Sequence, residues 1–158
     1  MSMESNSLIQ KIKNGFSSFA EKVRVRRESG GAFIEVEELN KKANRFRLIA
    51  QKSSTKEKEG YFFDAGILTL KAARLSSKYG LNSLVPESEL YFNRRRHIER
   101  ALALYSTAIE DFGRAGEPLL IIGTEREAEE FLNTLLADKK YHGYAEYSRL
   151  YSTLCGKD

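Results

Sequence analysis

The sequence predicts a mainly α-helical fold, a bundle of four to five helices carrying a small β-hairpin or minor sheet element. Apolar residues recur at three- and four-residue steps through most of the chain, the signature of one-sided helices. Only two prolines interrupt 158 residues. A single Gly-rich turn, flanked on both sides by alternating apolar and charged residues, supplies the hairpin signal. The length suits one domain over residues 1–158, large enough to bury a core without a metal or a disulfide.

The first helix is read from Leu8, Ile9, Ile12, Phe16, Phe19 and Val23, with Asn6 or Ser7 available as its cap. Lys11, Lys13 and Lys22 lie off that stripe. The simplest expectation is a helix packed on its own core, as any surface helix with an apolar stripe would be. A basic amphipathic helix on an anionic membrane is a minor alternative.

Residues 22–37 read as the hairpin. Val25 pairs with Ile34 and Val23 with Val36 across Gly30-Gly31, which sets Arg24 against Glu35 and Lys22 against Glu37. Residues 38–52 fit a helix through Leu39, Ala43, Phe46 and Ala50, or a third strand through Phe46, Leu48 and Ala50. Helix is preferred because Lys, Glu, Asn and Ala are poor strand formers. Residues 53–60 then read as a polar loop.

A second long helix follows from Tyr61, Ala65, Leu68, Ala72, Leu75 and Tyr79, with Gly80 as its stop signal. A third begins near Pro86 and carries Ile98, Leu102, Tyr105, Ile109 and Phe112 on one stripe, ending at Gly113 and Gly116. The apolar run from Pro118 to Gly123 predicts a short strand that joins the hairpin. Thr124 with Glu127 forms a capping box for a helix that buries Phe131, Leu132, Leu135 and Leu136. A last helix is expected from about Tyr144 to Leu154.

Composition and motifs narrow the function classes. The single cysteine, Cys155, excludes a disulfide framework, and a reducing, cytoplasmic location is the expectation. The two histidines, His97 and His142, have no partner at metal-ligand spacing, and no phosphate loop or nucleophile elbow is present. A non-enzymatic protein with no cofactor and no metal is therefore expected. Charge is uneven: residues 1–100 hold 20 Lys and Arg against 12 Asp and Glu, whereas residues 101–158 hold 6 against 10. The basic front can meet nucleic acid or the acidic part of another chain.

Two side-chain groups stand out. Arg94, Arg95, Arg96 and Arg100 cluster on the third helix, with Arg24, Arg26 and Arg27 in support, and guanidinium groups bind phosphate bidentately. Running the third helix's stripe back from Ile98 lands on Arg94 or Arg95, so this end either projects past the core or holds an arginine against a buried carboxylate. Tyr141, Tyr144, Tyr147 and Tyr151 offer large, stiff contact area near the C-terminus. The leading expectation is an accessory or adaptor protein acting through protein–protein contacts or self-association. Nucleic-acid binding by the arginine helix is the alternative.

Overall fold

The computed structural model describes residues 3–86 and 94–137. Among the described residues four helices follow one another: α1 over Met3–Gln51, α2 over Thr55–Gly80, α3 over Arg94–Arg114 and α4 over Pro118–Ala137. There is no strand among the described residues. Cross-helix contacts fix the directions. Val25 meets Tyr79, and Ala50 meets Phe62, so α1 and α2 are antiparallel. Ser29 meets His97 and Arg47 meets Asp111, so α1 and α3 run parallel. The Tyr105 ring lies 6.1 Å from that of Phe131, and Cβ of a residue at Gly113 would lie beside Ile121, so α4 returns antiparallel along α3.

The expected hairpin is replaced by continuous helix. Residues 22–37 all belong to α1, a helix of 49 residues and about 73 Å. The alternation of Val23, Val25, Ile34 and Val36 is overruled by a longer pattern, Val25, Ser29, Ala32, Val36, Leu39 and Ala43, which steps by four and three and is buried throughout. Val23 and Ile34, the other half of the hairpin's apolar face, are exposed at 43% and 56%. Gly30 and Gly31 cost the helix roughly 1 kcal/mol each in propensity, which the burial of six side chains at 1.5 kcal/mol or more for the larger ones readily offsets. Residues 38–51 are helical as preferred, and the polar loop shrinks to the turn between Gln51 and Thr55, since 55–60 already belong to α2.

The strand expected over 118–123 is also helix. Pro118 occupies the first turn of α4, where its missing N–H costs nothing. Thr124 is inside that helix, and its hydroxyl donates to the Leu120 carbonyl at 2.7 Å, so it caps nothing. The turn before α4 is set by Gly116, with φ of +70°. The Glu117 N–H donates to the Phe112 carbonyl and the Gly116 N–H to the Gly113 carbonyl, the paired bonds of a Schellman ending.

The core lies between α2, α3 and α4, with α1 laid along α2. α2 buries mostly small residues, Ala65, Gly66, Thr69, Ala72, Ala73, Ser76 and Gly80, which lets its neighbours approach closely. A Cβ at Gly66 would stand 2.6 Å from the Phe112 ring, and one at Gly80 would stand 2.9 Å from Ile98. The third helix is described from Arg94; its expected start near Pro86 leads into residues 87–93, which lie outside the described residues. The Arg94 N–H donates to the Pro86 carbonyl at 2.9 Å, so the two flanks of that segment are held together.

Candidate functional site

The N-terminal half of α1 leaves the bundle. Every described side chain from Ser7 to Arg24 is exposed, and Val25 is the first to be buried. Residues 3–24 thus form an arm about 33 Å long at a rise of 1.5 Å per residue. Leu8, Ile9, Ile12, Phe16, Phe19 and Val23 are 41% to 74% exposed along it. Phe16 and Phe19 flank the side-chain-free Gly15, and with Ile12 they line a shallow apolar hollow of about 320 Å³.

The reason the arm is uncovered is written in the phase of its stripe. Within the bundle, the row facing α2 is Val25, Ala32, Val36, Leu39, Ala43 and Ala50. Carried backwards at the same steps, that row becomes Lys22, Ser18, Gly15 and Lys11, which no apolar neighbour can cover. The arm's row, Ile9, Ile12, Phe16, Phe19 and Val23, is displaced by one residue, about 100° around the helix. Carried forwards it reaches Arg26, Gly30, Phe33 and Glu37, the side of α1 that meets α3. The chain therefore presents two apolar seams on one helix, one closed by α2 and one open.

The sequence-selected arginines are dispersed. Arg94 is buried, 4% exposed, so it lies in the bundle rather than projecting from it. Arg95 is exposed and pairs with Glu99 at 3.1 Å. Arg100 pairs with Glu37 of α1 and lies 5.0 Å from the centre of the Phe33 ring; burial pulls its pKa below the usual arginine value. Arg96 is exposed and, with Phe33, Glu99, Arg100 and Ala103, lines an open groove of about 300 Å³ between α1 and α3. Arg24 approaches Glu28 at 4.0 Å on the exposed side of α1, and Arg26 and Arg27 are exposed at the foot of the arm. The helices bring Arg96 and Arg100 to one groove but do not gather the seven arginines into one surface. Tyr141, Tyr144, Tyr147 and Tyr151 lie outside the described residues.

Two buried polar groups escaped the sequence reading. His97 is fully buried between Phe33, 5.6 Å away edge-on, and Tyr79, 5.7 Å away. Its Nε2 lies 2.8 Å from the Ser29 hydroxyl. Burial, outweighing a hydrogen bond with the Ser29 backbone, drives its pKa down to about 4, so the ring is neutral at physiological pH. The second group ties three helices. Arg47 of α1 donates Nε to Asp111 Oδ1 at 2.9 Å and Nη2 to Asp111 Oδ2 at 2.7 Å, and Nη2 also reaches Thr69 of α2. Asp111 is 1% exposed. The cue for it was the row Leu104, Ala108 and Asp111, which steps by four and three and sets a carboxylate on an apolar face where it demands a cation from elsewhere.

His97 and Asp111 are enclosed in the bundle and Arg47 reaches Asp111 from its partly exposed edge, so each group is suited to holding helices in register. No set of three or more His, Cys, Asp or Glu among the described residues is placed to hold a metal ion. None of the described helices is long and apolar enough to cross a membrane. The open apolar seam of α1 is the surface whose exposure the fold itself does not account for. Comparison with protein-family models, with curated proteins and with solved structures gives no match to this chain.

Proposed function

We propose that the protein is a non-enzymatic adaptor that acts through protein–protein contacts, with the arm of α1 as its docking element. The observation that supports this reading is the row Ile9, Ile12, Phe16, Phe19 and Val23, left exposed on a helix that has passed beyond its bundle. Large apolar groups lined up in water cost free energy that a partner recovers, at 1.5 to 3 kcal/mol for each such side chain fully covered. The row steps by three and four like one seam of a coiled coil. That narrow geometry matches a second helix better than a lipid surface, which takes a broader apolar face. Nucleic-acid binding has less support, because Arg94 is buried while Arg95 and Arg100 are engaged with Glu99 and Glu37.

A photoreactive phenylalanine analogue at position 16 of the full chain, irradiated in living cells, tests the reading. Discrete protein adducts are expected from position 16 and not from Asn14, which lies on the opposite side of the arm. Adducts only to lipid or nucleic acid, or none, would overturn it.

A further inference from the structure

The charges of the arm are arranged around its apolar row. Lys11 and Lys13 bracket Ile12, and Lys22 and Arg24 bracket Val23. At about 100° per residue, these four cations border the row on both sides. Glu21, the one carboxylate among residues 7–24, lies seven residues from Asn14 and shares its outer side, away from the row. All four cations are exposed, and Lys11, Lys13 and Lys22 form no ion pair among the described residues. Arg24 approaches Glu28 at 4.0 Å and still leaves 64% of its side chain in water.

Shape adds to charge. The hollow on the arm is lined by Ile12, Gly15, Phe16 and Phe19, which stand at i, i+3, i+4 and i+7. Four residues so spaced form the hole that receives one side chain of a facing helix. Gly15, without a side chain, deepens that hole, and a Cβ added there would meet nothing within 4 Å. The row itself spans only about 80° of the helix circumference, narrower than the roughly 100° or more of a face laid on a core. A lipid surface has no fixed side chain to seat in such a hole, and a nucleic acid presents phosphates rather than apolar groups.

Charge and shape together specify the occupant, on the reading that the arm is a protein-contact surface. We propose that the arm receives an acidic amphipathic helix of another protein, which seats a large apolar side chain in the hole at Gly15 and sets Asp or Glu on both flanks against Lys11, Lys13, Lys22 and Arg24.

The row from Ile9 to Val23 is roughly 21 Å long at 1.5 Å per residue. A partner helix of about four turns covers it and stays clear of the side of α1 that meets α3. A second copy of the arm would bring the same cations to the same flanks, so like charges would meet. Covering two phenylalanines and three aliphatic side chains removes on the order of 400 Å² from the arm and a similar area from the partner. A contact of that size is weak and reversible, and opposite charge chiefly sets its speed and selectivity.

Fluorescence anisotropy of two labelled synthetic helices with the full chain tests this. Both probes are about four turns long, are stapled on the outer face and carry one row of leucines. One has Glu at the flanking positions and the other has Lys. The Glu probe should bind with a Kd of about 1–100 µM that weakens with salt, and the Lys probe at least about tenfold more weakly. Phe16→Glu/Phe19→Glu should abolish binding of the Glu probe, and Lys11→Glu/Lys13→Glu/Lys22→Glu should reverse the preference between the probes. Gly15→Leu closes the hole and should weaken the Glu probe at least about tenfold, although it adds apolar area that would strengthen attachment to a lipid surface. An unchanged urea midpoint in each variant shows that its bundle is intact.

Equal affinity for both probes, binding of neither, or a Glu probe held as tightly after Gly15→Leu would each overturn the proposal. So would phosphatidylserine vesicles that bind more tightly after Gly15→Leu while neither probe binds. Sedimentation at twice 18.0 kDa that reverts to one chain on Phe16→Glu/Phe19→Glu would assign the row to a second copy and overturn it as well. After any of these results, discrete protein adducts from position 16 in cells leave the adaptor reading intact, and their absence removes both.

Discussion

The two halves of α1 share one helix, one periodicity and comparable apolar content, yet one is the wall of a core and the other is open to water. From Val25 to Ala50 the stripe meets α2, and six of its apolar members are at most 8% exposed. From Leu8 to Val23 the stripe meets nothing among the described residues. Amphipathicity states that a face needs cover, while the phase of the stripe states whether the same neighbour can give it. A shift of one residue near Val23 is enough to move the demand from α2 to another body.

The largest expected break in this comparison comes from the bundle half. Arg47→Ala leaves the Asp111 carboxylate buried without its bidentate partner, and such losses cost about 3–5 kcal/mol. Urea denaturation should show that drop, and the companion change Asp111→Leu with Arg47→Met should recover most of it. A cost below about 1 kcal/mol would mean that α1 is tied to α3 chiefly by its apolar row.

Acid should act next, again on the bundle half. His97 is held near pH 4 in the fold, below its ordinary value of 6.5, because burial disfavours the charged ring. The unfolded chain therefore binds the proton first. Stability is fully present above about pH 6.5 and declines as pH falls towards 4, by up to about 3 kcal/mol for this shift. Below pH 4 the His97 contribution is flat. Measuring unfolding free energy from pH 7.5 to 4 in the native chain and in His97→Gln isolates it, because the variant should lack that segment of the slope.

The smallest effect has the opposite sign and separates helix from hairpin. At Gly31 an added Cβ meets nothing within 4 Å, and the residue is helical. Gly31→Ala should stabilise the chain by roughly 0.5–1 kcal/mol. In a hairpin turn, with a positive φ, the same change would destabilise.

Much of the helical architecture was legible from periodicity. α2, α3 beyond Ile98 and the second half of α4 bury most of the residues that their stripes named, including Ala65, Ala72, Tyr105, Phe112, Phe131 and Leu132, whereas Leu136, expected in the core, is 37% exposed at the edge of the stripe. The hairpin failed because Val23, Val25, Ile34 and Val36 around two glycines offered a local pattern of period 2, while the competing helical row extended to Ala50 and could be recognised only over twenty residues or more. The strand over 118–123 failed because a run of four aliphatic residues has no readable period. The first helix was found, but its packing was expected on the bundle; the backward row of Lys22, Ser18, Gly15 and Lys11 carried the contrary information. The arginine cluster was conspicuous in sequence because its members are adjacent. Adjacent residues on a helix point about 100° apart, and Arg94, Arg95 and Arg96 duly reach the interior, Glu99 and the groove respectively.

The unbroken course of α1 through Val23 and Val25 makes the molecule a ruler with a fixed azimuth. Whatever occupies the arm is held at a set distance from the bundle and on its α3 side, because no hinge intervenes between the two seams. Inserting a single residue there would swing an attached body through about 100°, whereas inserting seven would advance it by about 10.5 Å with almost no rotation. The spacing between valines two positions apart thus sets the orientation of an assembly many times their size.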